Sequence, residues 1–470
     1  MDITASRPLP RVVVAGLGGD SGKTLISLSL LLLARKAGLR VAAFKKGPDY
    51  IDAAWLTWAS GRPARHLDTW MMGPGAVIES FCARAEGDGL NVVEGNRGLY
   101  DGFDARGSHS TAELAKLLDA PVLLVMNVTK MTRTAAALVL GCQRLDPEVR
   151  IAGVILDQVA NRRHESVLRG AIESACAVPV LGAIPRARQE MLLPGRHLGL
   201  VMPEEHPEIG ALEENILSLA GPSLDLGKIL EIARMAPPMQ RPPEEAQQAL
   251  PNGQGLKIGF IRDTAFTFYY PENMEAVGRS GAVIETISSI ADSRLPDDLD
   301  ALYIGGGFPE VQGAALSANP SFLVSLREAA EKGLPIYAEC GGLMLLARAI
   351  HWNSHCYPMS GVLPFDVEVC AAPQGHGYTR LTVDQPNPFF ALGTELRGHE
   401  FHYSRVLPGT EAPRTACAVQ RGTGTFPGRD GVIVGNVWAA YTHLHALATP
   451  EWAAGVLRAA AAWREQRRAT

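Results

Sequence analysis

Short apolar runs alternate with helical segments through the first half of the chain. The runs that match buried strands cover residues 12–14, 41–44, 90–93, 121–127, 151–157 and 178–184. Apolar periodicity predicts helices between some of them, at 25–36, 133–145 and 165–175. Strands that are apolar on both faces are typical of a parallel sheet covered by helices on both sides. We therefore predict a doubly wound α/β domain over residues 1–235.

A second domain of the same class is predicted after a change in composition. Residues 236–255 are rich in Pro, Gln, Glu and Gly and hold few apolar positions, which indicates a Pro-rich linker. Apolar strands then return at 256–261, 301–304, 334–338 and 432–437. The predicted fold class is α/β, with two doubly wound domains at 1–235 and 256–470 joined by the linker.

A glycine-rich turn separates the first strand from the first helix. It runs from Gly16 through Gly19 to Gly22 and leads into Lys23 and Thr24. Backbone N–H groups can converge on phosphate oxygens there, Lys23 can neutralise phosphate charge, and Thr24 can ligate Mg²⁺. The spacing is one residue longer than G-x-x-x-x-G-K-[ST], and this longer form resembles the dethiobiotin-synthetase-like branch of P-loop enzymes. We predict that Gly19, Gly22, Lys23 and Thr24 bind ATP, against the alternative of an ordinary Gly-rich turn.

Carboxylates follow the next strands where each strand ends. Asp49 and Asp52 follow the second predicted strand, and Glu94 and Asp101 follow the third. Because the carboxyl ends of parallel strands form the ligand crevice of an open α/β sheet, these side chains should lie near the phosphates. Mg²⁺ selects oxygen ligands, so Asp49 and Glu94 are predicted to share a metal site with Thr24. For the Asp49–Asp52 segment the alternative is a solvated turn.

A cysteine in the second half lies on a predicted tight turn. Cys340 follows a strand and precedes two glycines, which predicts an exposed Sγ at a helix N-terminus, where the thiolate is favoured. Upstream, Gly306 and Gly307 end another strand and can direct backbone N–H groups at an oxyanion. A nucleophile also needs a base, and two histidine clusters, at 399–402 and 443–445, compete for that role.

Two loop features leave alternatives open. The aromatic residues Phe266, Phe268, Tyr269 and Tyr270 follow a strand and could either join the core or face a large planar ligand. Arg97 could either contact anionic substrate groups or face solvent.

Composition narrows the class of protein. A chain of 470 residues with 47% hydrophobic and 20% charged residues is typical of a globular enzyme of two or three domains. A net charge of −5 gives no sign of a nucleic-acid partner or an anionic membrane surface. The longest apolar run is shorter than a membrane span, and the N-terminus lacks a secretory leader. Seven cysteines without C-x-x-C spacing indicate reduced thiols, so we expect a cytoplasmic protein without structural zinc.

In combination, these motifs resemble a known family. The G-x₅-GKT turn, KKGPDYID, LYDG, RDTAFTFYYPEN, GGGFPE and GHEFHYS resemble cobyrinic acid a,c-diamide synthases, and the Cys turn, GGG loop and late Y-x-H are similar to type 1 glutamine amidotransferases. The resemblance covers nearly all of the chain except the linker and termini. It implies a P-loop NTPase-like first domain and a class I glutaminase-like second domain. The implied reaction is ATP-dependent, glutamine-using amidation of the a- and c-carboxylates of cobyrinic acid, through acyl phosphates and channelled ammonia.

The resemblance implies roles for residues of the second domain. Cys340 would be the glutaminase nucleophile, Gly306 and Gly307 would form the oxyanion site, and His443 would be the base. Many of these glutaminases have a glutamate two residues after the base, where this chain has His445. That departure predicts a dyad in place of the usual triad.

In the first domain the resemblance implies a synthetase site for ATP, Mg²⁺ and a tetrapyrrole acid. The residues implied are Lys23, Thr24, Asp49, Tyr50, Ile51, Glu94 and Asp101. Lys23 and Thr24 would serve ATP and Mg²⁺, and Tyr50 and Ile51 would guide the substrate carboxylate. Asp157 stands where related P-loop proteins tend to have Asn, so phosphate binding is predicted more firmly than a preference for adenine.

Two alternative functions are compatible with the sequence. The same chemistry could act on hydrogenobyrinic acid or a nickel sirohydrochlorin. Alternatively, the chain could be a P-loop ATPase switch in which a degenerate glutaminase fold serves as a binding module, and that function would not need Cys340. A homodimer is also compatible with the sequence.

Overall fold

The computed structural model describes residues 6–186, 193–196, 199–206, 208–240, 250–407, 409 and 413–469. The chain divides into two compact units, residues 1–245 and 246–470. This division falls inside the segment 236–255 that we predict to be a linker, of which residues 241–249 lie outside the described ranges.

The first unit alternates strands and helices. Its described strands, β1 to β9, are Arg11–Gly16, Val41–Lys46, Arg65–Leu67, Leu90–Gly98, Val122–Asn127, Ile151–Val159, Val180–Pro185, Gly195–Arg196 and Gly199–Leu200. Its described helices, α1 to α8, are Lys23–Lys36, Tyr50–Ser60, Gly73–Arg84, Thr111–Leu117, Thr134–Leu145, Arg162–Cys176, Ile209–Ala220 and Leu226–Arg234, with a 3-10 turn at Pro203–Glu205.

The main sheet of this unit is parallel and has the order β3-β2-β4-β1-β5-β6-β7 among the described residues. All six residues of β1 are buried, as are most of the apolar residues of α1, because helices cover the sheet on both faces. The loops after β1, β2 and β4 leave adjacent strands at the carboxyl edge, which is where open α/β sheets bind ligands. The prediction of a doubly wound α/β fold is confirmed.

The second unit has more strands. Its described strands, β10 to β23, are Lys257–Ile261, Val283–Ile287, Ala301–Ile304, Ile336–Glu339, Ala349–Trp352, His355–Pro358, Val367–Val369, Gly375–Val383, Glu395–His402, Ser404–Val406, Thr415–Arg421, Arg429–Val434, Val437–Ala440 and His443–Leu444. Its described helices, α9 to α13, are Pro271–Arg279, Gly313–Ser317, Pro320–Lys332, Gly341–Leu346 and Glu451–Ala469.

The large sheet of the second unit joins a parallel half to an antiparallel half. Its order is β11-β10-β12-β13-β22-β21-β20-β17-β18-β23, and the pairs from β11 to β22 are parallel. The prediction of one strand at 432–437 is wrong, because Gly435, with a φ of 55°, turns the chain between β21 and β22 and Val432 then pairs with Ala439. In the order of the sheet, the antiparallel half begins with this hairpin. Its second strand, β22, lies beside β13 and pairs with it in parallel.

Among the described residues, none of the helices combines the length and apolar character that a membrane-spanning segment requires.

Candidate active sites

The turn between β1 and α1 has the geometry of a phosphate-binding loop. Gly22 precedes α1 with a φ of 88°, and a Cβ there would lie 2.6 Å from Oδ2 of Asp157. The Lys23 ammonium donates to the Gly18 carbonyl oxygen at 2.8 Å. Burial, and secondarily the charge of Lys45, lowers the pKa of Lys23. A buried cation thus stands at the N-terminus of a helix, the arrangement that phosphate oxygens require.

A buried group of charges lies beside this turn. The Thr24 hydroxyl donates to Glu94 Oε1 at 2.9 Å, and the Lys45 ammonium contacts the same oxygen at 2.9 Å and Asp52 Oδ2 at 2.5 Å. Lys45 and Glu94 are almost fully buried. One cation therefore joins β2 to β4, the two strands near which the site carboxylates were predicted. The prediction that Glu94 follows its strand is wrong, because β4 continues to Gly98 and pairs with β1 beyond Glu94. We call Thr24, Lys45, Asp52 and Glu94 the synthetase cluster.

The pKa values of this cluster reflect burial opposed by ion pairing. Burial raises the pKa of Glu94, and burial with the nearby Asp52 charge raises the pKa of Asp49 to about 7. Burial also pushes the pKa of Asp52 upward, but the Lys45 ammonium outweighs it and the pKa is lowered. For Lys45, Asp52 and Glu94 outweigh desolvation, so its pKa is raised. Lys45 is thus held as a cation between two carboxylates.

The residues predicted to lie next to this cluster have mixed environments. Asp49 caps α2, because its Oδ1 accepts the backbone N–H groups of Ile51 at 3.0 Å and Asp52 at 3.1 Å. Tyr50 and Ile51 are buried, and the Tyr50 ring packs edge-on against His66. A solvated turn at Asp49–Asp52 is therefore wrong. The contact of Tyr50 and Ile51 with the substrate carboxylate stays a prediction.

The donor set fits Mg²⁺ in part. The Thr24 hydroxyl and Glu94 are hard oxygen ligands, and among the described residues Glu94 Oε2 is buried without a hydrogen-bond partner. In those same ranges, no group of three or more His, Cys, Asp or Glu residues is arranged to hold a metal ion. A site with few protein ligands suits Mg²⁺, which keeps several waters and phosphate oxygens in its shell. Asp49 as a third ligand stays a prediction, since one of its oxygens is occupied by helix capping.

The loop after β4 approaches the phosphate-binding turn. Asp101 Oδ2 accepts the Gly98 N–H at 2.8 Å, and the Leu99 N–H donates to the Gly16 carbonyl oxygen at 2.7 Å. Asp101 and Arg97 are exposed. Asp101 is therefore placed at the edge of the crevice, where its predicted role toward substrate stays a prediction.

In the second unit, the predicted nucleophile lies on a strained turn. Cys340, between β13 and α12, has a φ of 48° and a ψ of −99°, a backbone conformation that residues with a Cβ rarely adopt. Its N–H donates to the Ala440 carbonyl oxygen at 2.7 Å, which ties the turn to β22. Such strain at the end of a buried strand is typical of a positioned nucleophile.

The Gly306–Gly307 loop lies against this turn. A Cβ built on Gly341 would lie 3.0 Å from the Gly307 nitrogen, and one on Gly306 would lie 2.6 Å from Cε1 of His443. The loop, the Cys340 turn and the His443 ring therefore meet at one place. The oxyanion role of Gly306 and Gly307 stays a prediction that this proximity favours.

The His443 imidazole contacts a carboxylate. Its Nδ1 lies 3.2 Å from Oε2 of Glu339, and both side chains are buried. The prediction of a dyad that lacks a carboxylate is therefore wrong in geometry. His445, at the position where relatives have the acid, instead lies with its Nε2 3.4 Å from Oε2 of Glu272.

Both histidine clusters converge on this site. His399 pairs with His443 across β18 and β23, and their rings stack with centroids 4.9 Å apart. His399 Nδ1 lies 3.2 Å from the Tyr270 hydroxyl, and His402 Nδ1 lies 2.7 Å from the Ser404 carbonyl oxygen. His443 is thus the histidine that combines a carboxylate contact with proximity to the glycine loop.

The aromatic residues after β10 belong to the core. Phe266, Phe268, Tyr269 and Tyr270 are all buried, and the Tyr269 hydroxyl contacts the Ile261 carbonyl oxygen and accepts the Gly305 N–H. The alternative that they face a planar ligand is wrong.

The Cys340 thiol is buried rather than exposed. Burial, and secondarily the charge of Glu310, raises the pKa of this thiol above its usual range. The prediction of an exposed Sγ is therefore wrong, and the raised pKa disfavours the thiolate that the sequence predicts. The thiol must then lose its proton during its attack on glutamine.

We expect Cys340 to react slowly with iodoacetamide at pH 8, at least tenfold more slowly than the exposed Cys356. Raising the pH should accelerate alkylation of Cys340, because burial raises the pKa of its thiol and the reactive thiolate forms at higher pH. Peptide mass spectrometry of timed samples measures both sites in one protein. Equal rates at Cys340 and Cys356 at pH 8 would contradict a neutral resting thiol.

Sequence reasoning missed two charged residues of these sites. Lys45 is the last residue but one of β2 and Glu339 is the last residue of β13, and all residues of both strands are buried. A charged side chain on a buried strand must be paired with an opposite charge or hydrogen-bonded. From the sequence, a Lys or Glu within an apolar strand could therefore have been recognised as part of a site.

Comparisons with known proteins match both halves of the chain. Residues 12–201 match the family described as "CobQ/CobB/MinD/ParA nucleotide binding domain", and residues 257–451 match "CobB/CobQ-like glutamine amidotransferase domain". A protein of Magnetococcus marinus named cobyrinate a,c-diamide synthase is 40% identical over 97% of this chain and 98% of its own length. Proteins of the same name from Dehalococcoides mccartyi (strain 195) and Archaeoglobus fulgidus are 41% and 39% identical, over 96% and 93% of this chain and 98% and 95% of their own lengths.

Proposed function

The chain belongs to the cobyrinate a,c-diamide synthase family of glutamine-dependent ligases, and from that premise we propose that it amidates the a- and c-carboxylates of cobyrinic acid. The observation that supports this proposal is that one chain holds two groups of side chains, each suited to one of the two half-reactions. One is the phosphate-binding turn with the synthetase cluster, and the other is the meeting of Cys340, His443 and the Gly306–Gly307 loop. ATP and glutamine each have a site suited to their chemistry.

At the first site, ATP activates a substrate carboxylate. A carboxylate oxygen attacks the γ-phosphorus, ADP leaves, and the acyl phosphate formed is a far better electrophile than the carboxylate. Such phosphoryl transfer needs positioning and charge neutralisation rather than covalent help from the protein. Lys23 supplies a cation at the helix N-terminus, and Thr24 and Glu94 would hold Mg²⁺, which would supply further charge neutralisation for the phosphoryl group.

At the second site, glutamine supplies ammonia. Cys340 Sγ attacks the amide carbon while its proton passes to His443, and backbone N–H groups near Gly306 and Gly307 stabilise the oxyanion. His443 then protonates the departing nitrogen, which leaves as NH₃. Water hydrolyses the thioester, giving glutamate and the restored thiol. Ammonia then attacks the acyl phosphate, and phosphate leaves as the amide forms.

We propose that this ammonia is used before it equilibrates with bulk solvent. In neutral water ammonia is mostly ammonium, which has no lone pair to attack the acyl phosphate. Nitrogen released at Cys340 and consumed while still neutral avoids that loss. Both half-reactions require this, because the glutaminase releases neutral NH₃ and the acyl phosphate reacts only with the neutral form.

Mass spectrometry of the product tests the proposed function. Purified protein is incubated with cobyrinic acid, ATP, Mg²⁺, amide-¹⁵N glutamine and an excess of unlabelled ammonium. Two unlabelled amidations would each lower the substrate mass by about one unit, because NH₂ replaces OH, and incorporated ¹⁵N would cancel that decrease. Because a ¹⁵N-amidated product has nearly the same mass as the substrate, the two are separated by chromatography before the label is measured, and a parallel reaction with unlabelled glutamine shows the mass decrease. Products carrying mainly ¹⁵N support amidation with unequilibrated ammonia, whereas recovery of only unmodified substrate in both reactions contradicts the function.

The same experiment addresses the metal state of the substrate. Parallel reactions with hydrogenobyrinic acid and a nickel sirohydrochlorin compare the alternative macrocycles by their relative kcat/KM. The ATPase-switch alternative is not adopted, because the relatives matched over nearly the whole chain are named as synthases. A homodimer stays a prediction.

An aromatic pair at the carboxyl edge of the first sheet suits a large planar substrate. The rings of Trp70, after β3, and Phe103, in the loop after β4, are stacked with an interplanar angle of 24°. Phe103 is 37% exposed. Arg97 is exposed in β4, shortly before the loop that carries Phe103, and its charge suits a tetrapyrrole acid, which carries several carboxylates. We propose that the macrocycle stacks on this aromatic pair.

Phe103→Ala should raise the KM for the tetrapyrrole roughly three- to tenfold, the loss expected for one aromatic contact. The KM for ATP and the release of glutamate from glutamine should stay within about twofold. Leu145→Ala, which removes an equally apolar side chain that is 69% exposed in the same unit, is the matched control. Steady-state kinetics with each substrate varied in turn makes the comparison, and an unchanged tetrapyrrole KM would remove Phe103 from the binding surface.

A further inference from the structure

We propose that Glu339 is the positioning carboxylate of the glutaminase site, supplied by the residue before the nucleophile in place of the acid that position 445 lacks. It holds the His443 imidazole with its proton on Nδ1 and stabilises the imidazolium formed when Cys340 gives up its proton. This inference rests on the proposed glutaminase activity and assigns a residue that the family resemblance did not.

Glu339 is held by contacts with three residues on two strands. The Tyr303 hydroxyl, on β12, donates to Oε2 at 2.9 Å, and the Leu444 N–H, on β23, donates to Oε1 at 3.1 Å. His443 Nδ1 lies 3.2 Å from Oε2. Glu339 itself is fully buried at the end of β13. A buried carboxylate with this many donors has a fixed position, which a positioning group requires.

The contact fixes the tautomer of His443. An ionised carboxylate only accepts hydrogen bonds, so the Nδ1 atom that faces Glu339 carries the proton. The opposite edge of the ring, with Cε1 and Nε2, lies against Gly306. Nε2 is then the nitrogen able to accept the Cys340 proton, on the side where the oxyanion loop lies. The same division of roles between two imidazole nitrogens operates in hydrolase triads.

The chain makes this arrangement through strand pairing. Glu339 pairs with Ala440 in the parallel β13–β22 pair, and the Cys340 N–H bonds to the Ala440 carbonyl oxygen. Three residues later the chain reaches His443, which pairs with His399 on β18. The nucleophile and its positioning carboxylate are thus neighbours in sequence, and one turn after β22 brings the base to both.

His445 does not take this role. Its ring packs edge-on against Tyr270, with centroids 4.5 Å apart, and its Nδ1 accepts the Leu447 N–H at 3.1 Å. Its Nε2 faces Glu272 at 3.4 Å. Both nitrogens of His445 are therefore directed at groups other than His443.

The resting state of Cys340 explains why a carboxylate is needed. Because the thiol is buried and neutral, His443 must remove its proton during the attack, which creates a buried imidazolium. An unpaired charge in such a site is strongly disfavoured. Glu339 provides the opposite charge at hydrogen-bond distance, so the ion pair forms where the proton transfer occurs.

Glu339→Gln is the test. The Gln carbonyl oxygen can still accept from Leu444 N–H or the Tyr303 hydroxyl, but its NH₂ cannot stabilise the imidazolium and favours the wrong tautomer. We expect glutamine-dependent kcat to fall about 10²- to 10⁴-fold, with the glutamine KM within threefold and ammonia-dependent amidation unchanged. Glu339→Asp keeps the negative charge on a side chain one carbon shorter. Its glutamine-dependent kcat should be at least tenfold higher than that of Glu339→Gln.

Glu272→Gln is the matched control, since it removes a buried carboxylate beside a histidine of the same segment, and we expect less than threefold change. A glutamine-dependent kcat of Glu339→Gln within fivefold of the parent protein would overturn the proposal, as would a loss confined to KM. If the Gln variant does not fold, Glu339→Asp decides: a ten- to hundredfold loss of kcat supports the role, and full activity overturns it. Ammonia-dependent amidation by the parent protein tests the proposed function separately.

Discussion

Cys340→Ser is expected to lower glutamine-dependent amidation by at least 10³-fold and to leave ammonia-dependent amidation within twofold. A serine hydroxyl is a weaker nucleophile than a thiol and a poorer leaving group from the acyl-enzyme, so both halves of the glutaminase cycle suffer. Removing the nucleophile of a hydrolytic site causes losses on the order of 10⁶ in other enzymes. The synthetase cluster belongs to the other unit and keeps its ATP chemistry.

The measurement is product formation with either nitrogen source at saturating ATP. Cys356→Ser is the control, because it makes the same change at an exposed cysteine outside the sites described above, and its activity should match that of the parent protein with both sources. Full glutamine-dependent activity in Cys340→Ser would contradict a glutaminase that uses Cys340 as its nucleophile. An equal loss with ammonia would mean that position 340 supports folding rather than the release of nitrogen.

Lys23→Ala is expected to lower amidation about 10²- to 10⁴-fold with both nitrogen sources. The ammonium of Lys23 is the buried cation at the N-terminus of α1, and charge neutralisation is the main contribution that a protein makes to phosphoryl transfer. Lys45, the ammonium of the neighbouring synthetase cluster, cannot replace it, because Lys45 is already paired with Asp52 and Glu94. Without the acyl phosphate, ammonia from either source has nothing to attack.

Lys36→Ala, at the exposed end of the same helix, is the control and should keep normal activity with glutamine and with ammonia. Release of ADP and of the amidated product are measured together, so that a loss of coupling is distinguished from a loss of ATP turnover. Normal ADP release by Lys23→Ala would show that the turn between β1 and α1 does not serve ATP. Release of glutamate from glutamine measures the second unit independently.

Local patterns predicted the strands and the phosphate-binding turn of the first unit well, because the residues that determine each of them are close together in the sequence. The turn from Gly16 to Thr24 combines a buried strand, glycines and a helix within a few residues, so spacing alone predicted its structure. Lys45 was harder, since its importance depends on pairing between β2 and β4, which brings Glu94 from about fifty residues away. Tertiary pairing of that kind leaves only a weak signal in a single sequence.

The second unit shows where sequence reasoning fails. Residues 432–437 read as one strand because their apolar character continues through the turn at Gly435. The aromatic residues around Tyr269 could not be assigned because burial and ligand contact favour the same side chains. Glu339 escaped attention because the acid of the related enzymes was expected after His443, whereas strand pairing supplies it from the other side of Cys340.

The buried, neutral thiol of Cys340 has a consequence for durability. Peroxide oxidises thiolates far faster than thiols, and the first product, a sulfenic acid, leads on to irreversible sulfinic and sulfonic forms. An enzyme whose nucleophile acquires its charge only with substrate in place is shielded from this damage while idle. Oxidants should therefore inactivate the enzyme faster during turnover than in the absence of its substrates.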